Sequence, residues 1–460
     1  MAKAPSVLAA IGGTAASKVL VMGLSGVLGI ITSRLIIQHF GTAAYAQYGL
    51  LTSFPSLLPF ADLGIAAVII NVIASSNSVR DDPEVHRTLV TALRVLSIAS
   101  GVIVAAAIVI TAAGWWPALL GNGLRPNASL AAGLCLAIFG LVLPLTAAQR
   151  AAVGLRRTRT QVLAQAVVAP FMLLSIGAVI LFSGPLADYL GVFSYLGNAL
   201  VSVICLIVVV RAMSPQWGRA VRDIPRVRSV PGIAILKWTW PVLIQMIALP
   251  VAMQMGRLLL SHLTTGPELA QYNLASQLFG IIVQTISAAG VALWPIYAKA
   301  RADSRIEAPY RATLLFLGGG LILGALLVVV SPFLTQIVSG GKIALPLPLL
   351  LSFLLFVGVQ ATKYPLGMYM TDQRGLIFQV WPILVMVPLT LGLSVLFIGF
   401  WGAAGPVLAT ALSVGLCQVL PNLLFVRWDL RRRRAHPQSE SDPRVDAEAA
   451  VETIILEREQ

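Results

Sequence analysis

Charged residues are scarce in this 460-residue chain, at 11% of the sequence. Soluble domains usually carry about a quarter, so the scarcity argues against a soluble protein. Cysteine is scarce too, and the three cysteines predict neither a disulfide framework nor a paired metal motif. The four histidines do not cluster in sequence, and the chain has no phosphate-binding glycine loop, no HExxH and no GxSxG. We therefore expect no catalytic residues, no metal and no cofactor.

Long apolar segments fill the chain instead, and 58% of its residues are hydrophobic. Segments of about 20 residues recur, each long enough to cross roughly 30 Å of hydrocarbon. A bilayer offers no partner to unpaired backbone amides, so these spans should be helical. The sequence predicts an all-α polytopic membrane protein with twelve transmembrane helices. Their predicted bounds are 16–38, 45–73, 91–113, 128–147, 160–182, 188–210, 236–260, 271–297, 311–332, 344–366, 374–398 and 402–426.

The basic residues orient these spans. Of the 32 lysines and arginines, the segmentation places all but four on one side, the exceptions being Arg34, Arg125, Arg257 and Lys342. Cytoplasmic loops carry an excess of lysine and arginine. The asymmetry therefore predicts a multi-pass protein of the cytoplasmic (inner or plasma) membrane with both termini in the cytoplasm. The same bias explains most of the net charge of +14, and no loop is long enough for a nucleic-acid reader domain, so no nucleic-acid partner is expected.

One sequence segment, which we call the repeat phrase, occurs twice, about half a chain apart. Residues 33–50 read SRLIIQHFGTAAYAQYGL, and residues 256–274 read GRLLLSHLTTGPELAQYNL. Arg34 corresponds to Arg257, and one residue is inserted between the arginine and the shared Ala-Gln-Tyr triplet. Such a repeat indicates duplicated halves, which in membrane proteins usually form a transporter with its substrate site between them.

The repeat and the charge distribution divide the chain into four parts. We expect an N-terminal six-helix bundle at 1–210, a basic cytoplasmic linker at 211–235, a C-terminal six-helix bundle at 236–430, and a polar then acidic cytoplasmic tail at 431–460. The composition of the tail predicts disorder. The outer connections are all short, so none could hold a catalytic domain outside the membrane.

The chain resembles a known family in the repeat phrases and in two segments that follow them, Phe60-Ala61-Asp62-Leu63-Gly64 and Pro295-Ile296-Tyr297-Ala298-Lys299. It looks like the Wzx-type polysaccharide flippases of the multidrug/oligosaccharidyl-lipid/polysaccharide exporter superfamily, over about residues 10–430. The resemblance implies two six-helix bundles in a V around a central cavity, with alternating access. It also implies a transporter, not an enzyme, whose substrate is a lipid-linked glycan in contact with membrane lipids. Glycan-assembly enzymes are candidate partners.

A carrier of this kind needs a polar path for the glycan head. Charged groups in hydrocarbon cost roughly 2.5–3.5 kcal/mol each, so Arg34, Asp62 and Arg257 are candidates for that path. The two arginines should lie at similar depths, roughly 7 Å below the outer surface. Guanidinium is a planar, bidentate phosphate ligand, and we expect the pair to face each other across the cavity. The alternative is that both snorkel to lipid head groups.

The remaining candidates are less specific. Asp62 lies in the inner half of the second span, where Lys18 is its best partner by depth; the alternative is a helix-packing role. Lys363, near the inner end of the tenth span, either lines the path or anchors the helix at the basic side. Four amide side chains either line the path or bridge helices; they are Gln47, Gln271, Gln277 and Gln284.

Three alternatives stay open. A cation-coupled multidrug or metabolite exporter of the same superfamily typically carries an acidic residue in its first or seventh span, and 16–38 and 236–260 contain none. A lipid II flippase commonly has two more C-terminal spans. A membrane-embedded polysaccharide polymerase or ligase usually has a large outer loop. We therefore favour flipping or export of a polyprenyl-phosphate-type oligosaccharide precursor by alternating access.

Overall fold

The computed structural model describes residues 7–435 with gaps at 59–64, 77, 126–127, 156, 183–185, 227–235, 292, 294–295, 298–299 and 301–306. Side chains are described from Leu20 onward, except over 236–247 and at scattered positions within helices. The predicted Asp62 lies outside the described residues, and only the backbone of Lys18 is described, within a helix.

The helices of the first half form one lobe. Its core places α4 along α6 and α6 along α9, with apolar side chains such as Leu89, Leu143 and Val201 fully or almost fully buried between them. The helix bounds are α1 Val7–Leu51, α2 Phe54–Leu57, α3 Ile65–Ser75, α4 Pro83–Ala112, α5 Trp116–Leu120, α6 Ser129–Gly154, α7 Thr158–Gln165, α8 Val168–Leu181, α9 Leu190–Ala212 and α10 Gln216–Asp223.

The second lobe is built the same way from the second half. Here α13 packs on α14, α11 on α15, and α15 on α16, while α12 lies against α14. Ring stacking of Phe279 on Phe353, with centroids 5.1 Å apart, joins α12 to α14. The helix bounds are α11 Leu236–Leu263, α12 Gly266–Val291, α13 Tyr310–Ser339, α14 Leu347–Tyr369, α15 Gln373–Trp401, α16 Gly405–Val414 and α17 Leu420–Ala435, with a π-helical turn at Gly415–Val419.

Local chemistry sets several of these boundaries. The Asp82 side chain accepts the Glu84 N–H at the start of α4, and Pro83 occupies the first turn, where its missing N–H costs nothing. Gly340, with a φ of 60°, ends α13 in the left-handed conformation that favours glycine. These signals fix where α4 begins and where α13 ends.

The predicted fold class is confirmed, since most described residues are helical and the described part of each predicted span lies mainly on helical structure. Within the described residues, nine helical stretches are long and apolar enough to cross a membrane, and the last of them, Arg374–Arg434, covers two predicted spans. The two spans outside this set, 45–73 and 236–260, contain residues that are not described in full.

The first two spans differ in detail from the prediction. The predicted outer connection at 39–44 is a kink within α1 at Gly41, whose φ of 85° is accessible to glycine at little cost. The helix then continues to Leu51, and Thr52 and Ser53 form a turn before the short α2 begins. Pro55 lies in the first turn of α2, where its missing N–H costs nothing.

The predicted linker contains a docked helix. In α10, Trp217 and Ala220 are buried against the first lobe, and the Gln216 side chain donates to the Asp82 carbonyl at 2.8 Å. The His86 imidazole lies 3.0 Å from the Asp223 carboxylate. A hydrogen bond from Arg226, with a smaller contribution from the imidazole, holds the pKa of Asp223 below its usual range. The first part of the linker is therefore a fixed element of the first lobe.

The lobes have two distinct ends. Helices of both lobes begin or finish near the arginine-rich segments, including Arg80, Arg211, Arg311 and Arg431, and we call this the basic end. The opposite end, the far end, carries the Gly41 kink and the segment 113–125. The C-terminal helix of the second lobe, α17, continues to Ala435, which is five residues into the predicted tail. The rest of the tail lies outside the described residues.

The lobes meet mainly along α1 and α12 and at the far end. Buried residues from both halves share one apolar cluster there, among them Ile37, Tyr45, Leu274 and Phe279. A set of side chains from the second lobe also donates hydrogen bonds to main-chain carbonyls of the first, and we call this set the far-end seal. Its bonds are Arg257 to Gly49 at 3.2 Å, Ser261 to Leu120, His262 to Ala118 at 3.0 Å, Asn273 to Ala46 at 3.2 Å and Lys342 to Gln38 at 3.2 Å.

Candidate functional site

A cavity of about 570 Å³ lies between the two lobes. Its walls come from α1, α7, α8 and α9 of the first lobe and from α11 and α12 of the second. On α12 the lining extends from Asn273 to Gln284, which corresponds to about 16 Å along the helix axis at 1.5 Å per residue. The cavity therefore reaches from the far-end seal well toward the basic end.

Arg257 lies at the sealed limit of the cavity. It is half-buried on α11, its Nη1 donates to the Gly49 carbonyl at 3.2 Å, and its Cζ lies 6.0 Å from the centroid of the Tyr272 ring. Among the described residues that line the cavity, Arg257 carries the only charged side chain. The cavity is therefore positively charged at one end and neutral along the rest of its described wall.

The α12 wall presents amide side chains. The Gln277 Oε1 accepts hydrogen bonds from the Ser33 and Tyr45 hydroxyls, at 2.8 and 2.9 Å, so one residue of the second lobe joins two of the first. Its Nε2 points toward Gly29, where an added Cβ would lie 3.2 Å away. Gln284 lies about two turns further toward the basic end and is exposed to the cavity. This wall offers donors and acceptors without net charge.

Asn273 packs against Gly49 at the sealed end. A Cβ on Gly49 would lie 2.5 Å from the Asn273 Cγ and 2.8 Å from its Oδ1, distances that real Cβ atoms do not adopt. The Asn273 Nδ2 donates to the Ala46 carbonyl, while its Oδ1 is buried without a hydrogen-bond partner. The Thr32 Oγ1, on the α1 wall of the cavity, is likewise buried without a partner. A glycine at 49 thus permits the close approach of α1 and α12.

The structure brings three of the predicted site residues into this cavity: Arg257, Gln277 and Gln284. Gln47 is buried elsewhere, where its Nε2 donates to the Asp188 carbonyl at 2.8 Å and its Oε1 accepts the Arg125 N–H at 3.2 Å. It therefore bridges segments of its own lobe. Gln271 is partly buried on α12 and is not part of the lining.

Lys363 also lies away from the cavity. Its ammonium nitrogen lies 5.0 Å from the centroid of the Tyr364 ring on α14. A cation over an aromatic face is stabilised electrostatically, and this contact provides a local partner for the charge.

Arg34 differs from its repeat counterpart. It is exposed on α1 and does not line the cavity, so the expected pair of opposed guanidinium groups is not formed in this arrangement. The reason is helix rotation: the cavity face of α1 carries Ser33, and the next residue is turned by about 100°. In the second copy the cavity face carries Arg257, and Gly256 packs on Pro406 and Tyr272 instead. The two arginines occupy equivalent positions in the repeat, but only the Arg257 side chain faces the cavity.

Sequence reasoning missed the polar residues of α1 and the asparagine of α12. Ser33, Tyr45 and Asn273 all fall within the repeat phrases, yet serine, tyrosine and asparagine in a membrane helix are ordinary and carry no charge to mark them. A usable signal was present on α12, where Asn273, Gln277 and Gln284 recur at the spacing of one helix face.

Comparisons with solved structures place the fold. The chain aligns with an inward-facing multidrug resistance MATE family transporter of the MOP superfamily at a TM-score of 0.63 and 13% identity, over 93% of this chain and 100% of that one. It aligns with the lipid II flippase MurJ in an inward closed conformation at a TM-score of 0.65 and 13% identity, over 89% and 87%. A MOP superfamily transporter from Pyrococcus furiosus, described as having a binding pocket of reversed polarity, gives 0.56 and 14%, over 94% and 96%. At these identities the likeness establishes the fold.

A search of the curated proteins finds no significant match to this sequence. The family model for polysaccharide biosynthesis proteins, in contrast, matches residues 8–301, which include the first lobe, α11 and α12. The match covers more than half of the chain and contains both copies of the repeat phrase, so it confirms the resemblance inferred from those segments. The chain belongs to the polysaccharide biosynthesis protein family, the family of the Wzx-type flippases.

Proposed function

We propose that this membrane flippase or exporter moves a lipid-linked oligosaccharide precursor, joined through a phosphate or diphosphate to a polyprenyl tail, across the cytoplasmic membrane. The observation that carries the proposal is the cavity between the lobes, whose described lining is polar, neutral and closed at one end by a single guanidinium, Arg257. Such a cavity suits a glycan head with an anionic attachment point.

The guanidinium supports an anionic ligand. Arginine has five N–H donors arranged to match phosphate oxygens, and among the described residues Arg257 donates a hydrogen bond only to the Gly49 carbonyl. Its remaining donors are available to a ligand. A cation exporter would instead need an acidic group in its path, and the described lining contains no carboxylate.

The outer surface of α1 suits the lipid tail. Leu20, Leu24, Val27 and Ile31 form an exposed apolar stripe on one face of the helix. The adjacent face of the same helix lines the cavity with Val21, Ser25 and Gly29, among others. A substrate could therefore keep its polar head in the cavity and its tail in the bilayer, separated only by α1.

We further propose that the basic end is cytoplasmic, with both termini on that side. The excess of arginine there supports this orientation, and the far-end seal would then close the cavity toward the outside. The chain would thus be captured in an inward-facing shape that receives substrate from the cytoplasmic leaflet. The expected division into bundles at 1–210 and 236–430 with a cytoplasmic tail at 431–460 is part of this proposal.

Depletion in the native host tests the proposal directly. Lipid-linked glycans would be assigned to leaflets with a glycan-oxidising reagent that does not cross the membrane, and they should accumulate in the protected inner leaflet. Wild-type protein should restore the distribution, as should the Thr285→Ala variant, whose change lies on α12 outside the cavity lining, whereas Arg257→Ala should not. An unchanged leaflet distribution accompanied by altered resistance to organic cations would assign the protein to multidrug export.

A further inference from the structure

Two buried acceptors in the cavity wall have no hydrogen-bond partner. The Asn273 Oδ1 and the Thr32 Oγ1 are each inaccessible to water in this state, and both side chains are only 4% exposed. A buried polar atom without a partner costs about 1–3 kcal/mol, and such atoms in a native wall call for an explanation. Both residues line the cavity, so a rotation that turns either oxygen into the cavity would let a ligand supply the missing donor.

The position of Asn273 identifies the kind of donor. Its side chain lies over Gly49, and Arg257 donates to the carbonyl of the same glycine, so the amide oxygen and the guanidinium are neighbours. A metal or organic cation beside Asn273 would be repelled by Arg257. A phosphate has no hydrogen to donate when ionised. A neutral hydroxyl adjoining an anionic group satisfies both neighbours.

We propose that Asn273 and Thr32 form a sugar subsite beside Arg257 and bind hydroxyl groups of the first sugar after the phosphate. The inference rests on the proposed function and deepens it, because it assigns recognition of a glycosyl phosphate, rather than of phosphate alone, to named residues. Gln277 extends the subsite toward the basic end, where its amide nitrogen faces Gly29. A sugar hydroxyl both donates and accepts, which suits a wall of amides and hydroxyls.

Two soluble lipid probes separate sugar binding from phosphate binding. The first is farnesyl diphosphate, and the second is the same lipid carrying one N-acetylglucosamine on the diphosphate. Binding of each to the purified full-length protein in lipid nanodiscs would be measured by calorimetry. The wild type should bind the sugar-bearing probe more tightly than the bare probe, by about tenfold, the size expected for one or two good hydrogen bonds to neutral groups.

The variants decide which residues read the sugar. Thr32→Val keeps the shape and removes the hydroxyl, and Asn273→Ala removes the amide; each should lower the ratio of the affinity for the sugar-bearing probe to the affinity for the bare probe. The ratio is the readout because Asn273→Ala also removes a bond of the far-end seal, and a change in that seal alters both affinities together. Retained binding of the bare probe shows that each variant is folded. Arg257→Ala should weaken both probes, and Thr285→Ala should weaken neither.

Each result bears on one claim. Equal wild-type affinity for the two probes, or variants at 32 and 273 that keep the full preference for the sugar-bearing probe, would overturn the sugar subsite and leave the phosphate role of Arg257 standing. Equal loss of both probes in the Asn273 and Thr32 variants would also overturn it. Failure of the wild type to bind either probe would overturn the proposed function together with this inference.

Discussion

Replacing Gly49 with alanine should open the far end of the transporter. The new Cβ would lie 2.5 Å from the Asn273 Cγ, so the asparagine must move away. Moving it removes its hydrogen bond to the Ala46 carbonyl and separates α1 from α12 where Arg257 holds the Gly49 carbonyl. Both losses fall on the sealed state alone, because the residues belong to different lobes.

The size of the effect follows from these contacts. Overpacking at a tight contact costs about 1–3 kcal/mol, and a lost hydrogen bond costs about 1 kcal/mol. A lower limit near 2 kcal/mol changes the equilibrium between sealed and open states by about 30-fold. If the open state holds about 1% of the wild-type population, a common value for a minor state, the variant should hold about 20%.

Paired spin labels at Ala113 and Ala344 would measure this shift. Both positions are exposed at the far end, one in each lobe, and the three native cysteines are buried. The distance distribution of the Gly49→Ala protein should show a second, longer component. Gly23→Ala is the matched control, since it makes the same change in the same helix at a site where a Cβ meets nothing within 4 Å. Identical distributions in Gly49→Ala and Gly23→Ala would refute the reasoning.

Three further predictions follow from other parts of the molecule. Arg257→Lys keeps the charge but loses the planar arrangement of donors, so transport of lipid-linked glycan should fall several-fold, while Arg34→Lys should transport normally. An equal fall in transport in both variants would restore the paired-arginine model. Reporter fusions after Arg228 and after Arg434 should both report a cytoplasmic location, and an external signal at either would invalidate the twelve-span topology. Because the pKa of Asp223 is lowered in the docked state, its carboxylate stabilises docking above its ordinary pKa, and this contribution is lost as the pH falls through the lowered pKa; hydrogen-exchange protection of α10 should therefore fall on acidification more in the wild type than in Asp223→Asn, and identical pH profiles in the two proteins would contradict this.

The architecture could be predicted from the sequence because its signals are local and repeated. Apolar runs of bilayer length, the one-sided arginines and the duplicated phrase each point to the same two-lobe helical protein. The kink at Gly41 was harder to predict, since a glycine turn and a longer loop have similar sequences. The docking of α10 was also missed, because the basic residues of the linker favoured a loop, although Trp217, Ala220 and Ile224 recur at the spacing of one helix face.

The candidate site was predicted only in part. Gln277 and Gln284 were named among amides that either line the path or bridge helices, and the structure places both at the cavity. Arg34 was chosen for its depth, but the facing of a helical residue depends on rotation, and a change of one position turns a side chain by about 100°. The depth of a residue within a span is therefore easier to predict from the sequence than the side chains that it contacts.

The far-end seal is chemically one-sided. Its five side chains all belong to the second lobe, and their acceptors in the first lobe are main-chain carbonyls. A carbonyl is present whatever residue carries it, so most side chains at those positions of the first lobe can be exchanged without removing a bond. The second lobe has no such freedom, since each donor is a particular side chain. A chimaera joining this second lobe to the first lobe of a relative should therefore still close its far end, provided that glycine is retained at positions 49, 121 and 123, where an added Cβ would meet Asn273, Ser261 or Leu269.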